Sequence, residues 1–357
     1  SSDVCSSDLR SHIEMSVKKI LTIKDIAQRA GVAKSTVSRV LNNSGYVGEE
    51  TRKKVEKIIA ESNYLPSATA RSLSKQESNT IGVVIPEADN AFFGEALRGI
   101  SEIVDKNDLT MIFCNTENNQ HKEQKALHML EEQRVRGLIL TPTADYSSST
   151  EAKQLKRVLD NLKVPVVLMD RRVENPQWDG IYYDNFNGGY KATEALIQAG
   201  HKRIGTITGD LRQIHGRERF NGFKQAIFDN DFSLDPRYLY KGDFSAQTAY
   251  EITKKMIASG EMPEAIFLSN NLTSIGFVKA IFEARMELGR DICCVGFDHV
   301  DTMDILNVDF SYVERDTINM GRMAMQMLLD RIEQPMLPRR EHIIPAHLVL
   351  KGSEKKK

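Results

Sequence analysis

The chain has 357 residues, of which 41% are hydrophobic and 27% are charged, a balance typical of a globular protein with two or three domains. Its net charge of −1 conceals an asymmetry, because residues 15–80 carry 12 Lys and Arg against 6 Asp and Glu. A basic segment on an acidic remainder suits a protein that approaches phosphate groups with one end. No apolar run approaches the roughly 18 residues of a membrane span, so no membrane contact is expected.

The chain start, the cysteines and the histidines exclude other classes. Residues 1–14 are serine-rich and lack the apolar core of a signal peptide, so we interpret them as a non-native leader before Met15. The four cysteines show neither CxxC nor disulfide-framework spacing, and Cys293 and Cys294 are expected to be buried thiols in a reducing cytoplasm. The eight histidines lack metal-ligand spacing, and we expect neither a metal nor a cofactor.

Residues 22–41, TIKDIAQRAGVAKSTVSRVL, predict two short helices around a tight turn. Thr22 and Asp25 form a capping pair, and Gly31 ends the first helix where a left-handed residue is least strained. Apolar residues at helical spacing give each helix a buried side, and residues 49–59 predict a third helix that closes the small core. The outer side of the second helix is polar and suits the DNA major groove. A solvated helical hairpin is the alternative.

Residues 66–73, PSATARSL, predict about two turns of helix, too short to be stable alone. The motifs TIKDIAQRAGV, STVSRVLN, ETRKKV and YLPSATARSL occur together in residues 20–73. This segment resembles the DNA-binding headpiece and hinge of the lactose-repressor (LacI/GalR-type) family of bacterial transcription regulators. Ala33 departs from the family, which usually has serine at this N-cap, and should weaken the cap of the second helix.

The outer face of the second helix and the resemblance together predict the DNA contacts. We expect Lys34, Ser35 and Arg39 to face the bases, whereas Ser38 points at phosphate. The resemblance implies that Leu73 of the hinge wedges into the minor groove. The full set of predicted DNA-binding residues is Thr22, Lys34, Ser35, Thr36, Ser38, Arg39, Asn42, Ser67, Ala70, Arg71 and Leu73.

The rest of the chain predicts an α/β fold with two doubly wound subdomains that face each other. Buried strands are expected at 81–85, 110–114, 137–140 and 164–169, and then at 203–207, 265–268 and 292–295. The resemblance implies that the chain crosses three times between the two lobes, as in periplasmic sugar-binding proteins. The predicted domains are a helix-turn-helix domain at 15–65, a hinge and linker at 66–79, and a two-lobed effector-binding and dimerisation domain at 80–353.

Polar and aromatic residues follow the predicted strands, where open α/β sheets bind ligands. Stacking rings with amide, carboxylate and guanidinium groups suit a sugar, whose hydroxyls donate and accept and whose ring faces are apolar. The set resembles the pocket of ribose-type binding proteins and comprises Asn90, Phe92, Phe93, Asp170, Arg171, Arg219, Phe244, Asn270 and Asp298. We expect Arg219 to open a helix and Phe244 to end a strand. Taken singly, each residue could instead be an ion-pair, core or capping residue.

Two departures from the family leave the sugar's identity open. Arg315, which is also predicted to bind the effector, stands near a position where the family often has glutamine, and Asn271 stands where aspartate is common. A buried arginine needs a counter-charge. Either the neighbouring Glu314 or Asp316 pairs with Arg315, or an acidic effector does, although strand alternation points immediate neighbours the other way.

The sequence predicts a cytoplasmic, sequence-specific transcription regulator, a repressor that reads a near-palindromic operator as a homodimer. A small sugar or sugar-acid effector would control it, and carbohydrate catabolism genes would be its targets. One alternative is a sugar-binding transport protein, and another is an α/β enzyme such as a sugar kinase or dehydrogenase. Because GxGxxG after a strand, GxxxxGK[ST], HExxH and GxSxG are all absent, we expect no enzyme. Gly188 and Gly189 indicate close packing, and His201 a structural role.

Overall fold

A computed structural model describes residues 21–62, 64, 78–143, 149–174 and 176–357. The predicted leader and four predicted DNA contacts, Ser67, Ala70, Arg71 and Leu73, lie outside these ranges. The chain divides into two compact units, one ending at Ser78 and the other beginning at Asn79. None of the helices in the described ranges is long and apolar enough to cross a bilayer.

The first unit contains three helices around a small apolar core. The helices are α1 (Ile23–Ala30), α2 (Lys34–Leu41) and α3 (Glu49–Glu61). A capping box of Thr22 and Asp25 begins α1, and Gly31 ends it with a left-handed backbone of φ 66°. Ala33 begins α2 without a side-chain cap, as its sequence predicts. The buried core comprises Ile26, Ala27, Ala30, Val37, Val40 and Val55.

The first lobe of the second unit is a six-stranded, wholly parallel sheet. The strands lie in the order β11-β5-β4-β3-β1-β2, and an apolar core covers each face. The lobe is built from β1 (Thr80–Ile85), α4 (Ala91–Lys106), β2 (Thr110–Asn115), α5 (Gln120–Glu132), β3 (Gly137–Leu140), α6 (Ser149–Leu162), β4 (Val166–Met169), β5 (Asp179–Tyr183), α12 (Thr317–Glu333) and β11 (Glu341–Ile344).

The second lobe repeats this strand order as β12-β10-β9-β8-β6-β7, with β12 antiparallel at the edge. Its elements are α7 (Asn185–Gln198), β6 (Ile204–Ile207), α8 (Ile214–Asp229), a short 3₁₀ helix (Pro236–Tyr238), β7 (Leu239–Tyr240), α9 (Ala246–Ser259), β8 (Ala265–Leu268), α10 (Asn271–Glu283), β9 (Cys293–Phe297), α11 (Asp301–Ile305), β10 (Ser311–Glu314) and β12 (His347–Val349). Cys293 and Cys294 are buried free thiols on β9. His201 has a structural contact, because its Nε2 lies 2.8 Å from the carbonyl oxygen of Glu354.

The chain passes between the lobes three times, after β5, after β10 and between β11 and β12. The two-lobed α/β architecture is therefore confirmed. All seven predicted strands exist, with ends shifted by up to two residues. Five strands were missed, namely β5, β7, β10, β11 and β12, because they are short or interrupted by polar residues and lack a long apolar run.

Candidate DNA-binding surface and effector cleft

The outer face of α2 has the exposure that the sequence predicts. Lys34, Ser35 and Arg39 are exposed, whereas Thr36 and Ser38 are half-buried. The face is basic and rich in hydroxyls, and no acidic residue occurs in α2. It can donate hydrogen bonds to base edges and phosphates.

Two further predicted contacts flank this helix. Thr22 is exposed before α1, and both its backbone N–H and its hydroxyl donate to Asp25 Oδ2 at 2.7 Å. Asn42 ends α2, and its amide donates to the Ser38 hydroxyl at 3.3 Å. Tyr46, in the segment before α3, is 90% exposed.

All ten residues that the sequence predicts for the effector site line one cavity between the two lobes. The cavity has a volume of about 30 Å³, room for a few water molecules at most. Asn271, which the sequence analysis names as a departure from the family, and Glu87, which it does not name, complete the lining. The structure therefore brings the predicted set together, although in this arrangement a sugar-sized ligand needs the lobes to separate or a side chain to move.

Three lining residues, one in the first lobe and two in the second, have left-handed backbones. The φ angles are 66° at Asp170, 72° at Phe244 and 76° at Asp298. Such conformations are uncommon for residues other than glycine and concentrate at functional sites. Phe244 lies in the loop beyond β7, so the expectation that it ends a strand was wrong, because β7 stops at Tyr240.

Arg315 pairs with two aspartates from opposite lobes. Its Nε and Nη2 donate to Asp298 at 2.5 and 2.8 Å, and its Nη1 donates to Asp170 at 3.0 Å. Burial acts to lower the pKa of Arg315, but the two carboxylates outweigh it and hold that pKa above its ordinary value. The guanidinium carbon also lies 3.9 Å from the centroid of the Phe92 ring.

The predicted pairing of Arg315 with Glu314 or Asp316 is therefore wrong. Glu314 is exposed, and Asp316 caps α12 by accepting from the backbone of Asn319 at 3.1 Å. The counter-charge comes from Asp298 and Asp170, which are far from Arg315 in sequence. No acidic ligand is needed to balance this arginine.

Arg219 lies in the same cleft without a carboxylate partner among the described residues. Its Nε donates to Asn185 at 2.9 Å and its Nη1 to the Ser269 carbonyl at 2.6 Å, both neutral acceptors. Burial, followed by the nearby charge of Arg315, lowers the pKa of Arg219 to about 9. Its charge is therefore poorly compensated.

Close helix packing positions Arg219. It is the sixth residue of α8, so the expectation that it opens this helix was wrong, because the helix already begins at Ile214. A Cβ on Gly189 of α7 would lie 2.3 Å from the Arg219 carbonyl oxygen. Gly189 thus lets α7 approach the α8 backbone at this residue, and its predicted packing role is confirmed.

Arg171 is buried on the first-lobe side of the cavity and is only partly satisfied. Its Nη1 donates to Asn118 at 2.6 Å and weakly to the Pro142 carbonyl at 3.4 Å. Its Nε is buried with no hydrogen-bond partner in the part of the chain that the structure describes. The nearest carboxylate is Glu87 at 3.9 Å, and burial lowers the pKa of Arg171.

One hydrogen bond between asparagines connects the two lobes beside the cavity. Asn90 begins α4 and accepts from Asn271 across the cleft at 2.9 Å. Asn270 caps α10 by accepting from the backbone of Thr273 at 2.8 Å, and its amide donates to the Phe244 carbonyl at 3.1 Å. These contacts order the cleft walls, so the capping alternative holds for Asn270.

His215 borders the cleft and was missed by sequence reasoning. Its ring stacks on Phe244 with the centroids 5.0 Å apart. Burial, followed by the charges of Arg171, Arg219, Arg315 and Arg217, holds the pKa of His215 well below its ordinary value. The imidazole is therefore neutral at physiological pH.

A second cavity of about 180 Å³ adjoins the first. Phe92, Asn271, Asp298 and Arg315 line both cavities and so separate them. The remaining wall of the larger cavity carries Glu95, Asp301 and His299. Glu95 and Asp301 make this wall acidic, and burial, followed by the charge of Asp301, raises the pKa of Glu95.

A helix-turn-helix unit joined to a two-lobed domain with a polar cleft defines the class of ligand-controlled DNA-binding regulators. The family model for periplasmic binding proteins and the sugar binding domain of the LacI family matches residues 78–351. The model for bacterial regulatory proteins of the lacI family matches residues 22–67. The chain belongs to the LacI family of bacterial regulatory proteins, and it is a DNA-binding transcriptional regulator.

Individual relatives agree with this assignment. The HTH-type transcriptional repressor PurR of Aliivibrio salmonicida is 32% identical over 319 residues, covering 89% of this chain and 94% of that protein. The ribose operon repressor of Escherichia coli K12 is 31% identical over 332 residues, covering 93% and 99%. The lac repressor dimer bound to operator and the anti-inducer ONPF has a TM-score of 0.82 at 27% identity, covering 94% and 100%.

Proposed function

We propose that this chain is a cytoplasmic repressor that binds a near-palindromic operator as a homodimer and is controlled by a small polyhydroxylated effector, a sugar or sugar acid. It has no catalytic role, and genes of carbohydrate catabolism are its targets. The proposal rests on one combination of features in a single chain. The first unit has an exposed basic face on α2, and in the second unit all ten predicted effector residues line one cavity.

The proposed DNA contacts divide by reach and exposure. Lys34, Ser35 and Arg39 have exposed side chains and would read base edges. Thr22, Thr36, Ser38 and Asn42 flank them and would position the unit on the phosphates. The similar lac repressor structure is a dimer bound to its operator, which supports the same assembly for this chain.

The proposed effector site is the cleft between the lobes. Its aromatic rings and charged groups suit a ligand with hydroxyls and apolar faces. One relative is named for the ribose operon, which supports a carbohydrate-type ligand. Because the cleft is closed to a sugar-sized molecule, binding would couple to a change in the lobes, the element through which an effector could act on DNA binding.

Selection of binding sites from a random duplex pool with the full chain tests the proposal. We expect enrichment of a near-palindrome, and Arg39→Ala should relax specificity at one base pair per half-site by about 1–3 kcal/mol. Lys57→Ala is the matched control, because Lys57 is an exposed basic residue of α3, outside the predicted DNA contacts, and its Nζ lies 3.8 Å from the Glu61 carboxylate. Uniform weakening on all sequences would make Arg39 a phosphate contact instead.

The same selection separates the alternatives. A sugar-binding transport protein or a sugar enzyme would enrich no sequence. A regulator should enrich one and lose affinity for it steeply as salt rises, because phosphate contacts release counterions.

A further inference from the structure

We propose that the effector carries an anionic group, a carboxylate or a phosphate, that Arg219 and Arg171 bind, because Arg315 already takes both aspartates of the cleft. This inference rests on the proposed function only in that the cleft is the effector site. It replaces the earlier expectation that Arg315 itself would bind an acid.

Arg315 occupies the groups that a neutral sugar would use. Asp298 gives both carboxylate oxygens to it and Asp170 gives one. The guanidinium also covers the Phe92 ring at 3.9 Å. Hydroxyl groups of a neutral ligand would have to displace a buried, doubly paired arginine to reach either oxygen of Asp298 or the bound oxygen of Asp170, which is costly.

The remaining donors of the cleft are cationic. Arg219 uses two nitrogens on neutral acceptors and forms no ion pair among the described residues. Arg171 leaves its Nε without a partner. Glu87 is the nearest carboxylate to Arg171, but at 3.9 Å it lies beyond hydrogen-bond distance. Its Oε2 accepts from Asn90 at 2.9 Å.

An anion would satisfy both arginines. A buried guanidinium without a counter-ion is unfavourable, and a carboxylate or phosphate matches its planar donors. The two arginines come from opposite lobes, so one anion between them would also favour lobe closure. Binding of an anion by these two arginines, neither of which is hydrogen-bonded to a carboxylate among the described residues, would thus supply both the affinity and the coupling that an effector requires.

The two cavities fix the orientation of the ligand. The smaller one contains Arg171 and Arg219, whereas the wall of the larger one adds Glu95 and Asp301. Carboxylates accept hydrogen bonds from hydroxyls and repel a second anion. The anionic group therefore belongs in the smaller cavity, and an uncharged polyol portion extends towards the larger one once Arg315 moves.

The first experiment probes the anion site directly with inorganic phosphate. Thermal unfolding of the full chain in phosphate is compared with unfolding in sodium chloride at equal ionic strength, which removes general screening. We expect phosphate to stabilise the wild type, whereas Arg219→Gln and Arg171→Gln should lose that shift. Equal melting in the two salts for the wild type, or a phosphate shift retained in both variants, overturns the proposal.

The second experiment uses calorimetric titration with matched pairs to identify the anion. D-Galacturonate against D-galactose tests a carboxylate, and D-ribose 5-phosphate against D-ribose tests a phosphate. We expect the acidic member of at least one pair to bind about tenfold more tightly, a difference of about 1.4 kcal/mol. A preference for the neutral member, or no difference in either pair, contradicts the proposal.

Arg315→Gln gives the complementary test. Freeing Asp298 and Asp170 should improve binding of the neutral sugars by about tenfold, because their hydroxyls then reach free acceptors. Unchanged neutral-sugar binding in a folded variant counts against the proposal, and if this variant does not fold, Arg219→Gln and Arg171→Gln decide. Operator selection by the same preparations is scored separately, so failure of the anion site and failure of the regulator assignment are distinguishable.

Discussion

Asp170 in the first lobe and Asp298 in the second occupy equivalent positions in the two sheets. Each follows the third strand in sheet order, β4 or β9, and each has a left-handed backbone. Each backbone N–H donates to the neighbouring strand at 2.9 Å, to Ile181 or Val313. The lobes therefore build the same carboxylate position twice.

The crossovers repeat as well, in the pattern DxxNxG at 184–189 and 316–321. Asp184 and Asp316 each accept from the backbone three residues later at 3.1 Å. The residue before this pattern is Tyr183 in one crossover and Arg315 in the other. The Tyr183 hydroxyl is buried without a partner among the described residues, whereas Arg315 pairs twice.

This contrast separates the residues that build the turns of both lobes from the residue that faces the ligand cleft. Capping aspartates and left-handed residues recur because both lobes need the same turns. The residue that faces the cleft is free to differ, and the arginine at one crossover gives the cleft an asymmetric charge. In the proposed anion site, one residue at a crossover thereby sets the ligand class without altering the fold.

The largest effect should come from neutralising the two aspartates. Asp298 holds Arg315 with two hydrogen bonds and Asp170 with one. Asp298→Asn should lose about 3–5 kcal/mol of unfolding free energy, as expected when a buried pair is broken. Asp170→Asn should lose about 1.5–3 kcal/mol, the value of one hydrogen bond to a charged group.

Asparagine suits this test because it tolerates the left-handed backbone of both sites. Urea unfolding of the full chain, followed by fluorescence, measures both losses. A larger loss for Asp170→Asn would show that the bidentate contact does not dominate the cleft.

The equivalent glycines should separate packing from ligand binding. A Cβ added to Gly189 would lie 2.3 Å from the carbonyl oxygen of Arg219. A Cβ added to Gly321 would lie 2.1 Å from the carbonyl oxygen of Ala96. Both alanine variants should lose about 1–3 kcal/mol of unfolding free energy from overpacking. Only Gly189→Ala should also weaken phosphate binding, because it displaces the helix that carries Arg219.

Unfolding curves and the phosphate-dependent melting shift, measured on the same preparations, check this pair. Gly321→Ala serves as the matched control for a general loss of stability. Equal loss of the phosphate shift in both variants would mean that Arg219 does not depend on its local packing.

The sequence predicts the cleft set because its members follow strand ends, which topology gathers at one edge. It fails at Arg315, whose partners Asp298 and Asp170 are 17 and 145 residues away and whose immediate neighbours point elsewhere. It also misses β5, in which Asp179 is buried against Arg331 at 2.7 Å. Such pairs depend on three-dimensional placement, which periodicity does not encode.

The smallest expected effect concerns the aromatic residues of the two lobes. Phe92 is the second residue of α4 and His215 the second of α8, the helices that follow the first strand of each lobe. Only His215 can titrate. Since its pKa is lowered in the folded chain, the unfolded chain binds a proton first as the pH falls through about 6.5, and stability falls with it.

Between pH 7.5 and 5.5 this group should remove about 1–1.5 kcal/mol of unfolding free energy, estimated from its unfolded pKa. His215→Gln should lack that component, so the difference between the two urea titrations isolates it from the other histidines. Bound phosphate should reduce the loss, because an anion beside Arg171 and Arg219 offsets the positive charge that opposes protonation of His215. An identical pH dependence in wild type and variant would show that His215 has the same pKa in the folded and unfolded chain. Burial and the neighbouring arginines would then not lower the pKa of His215.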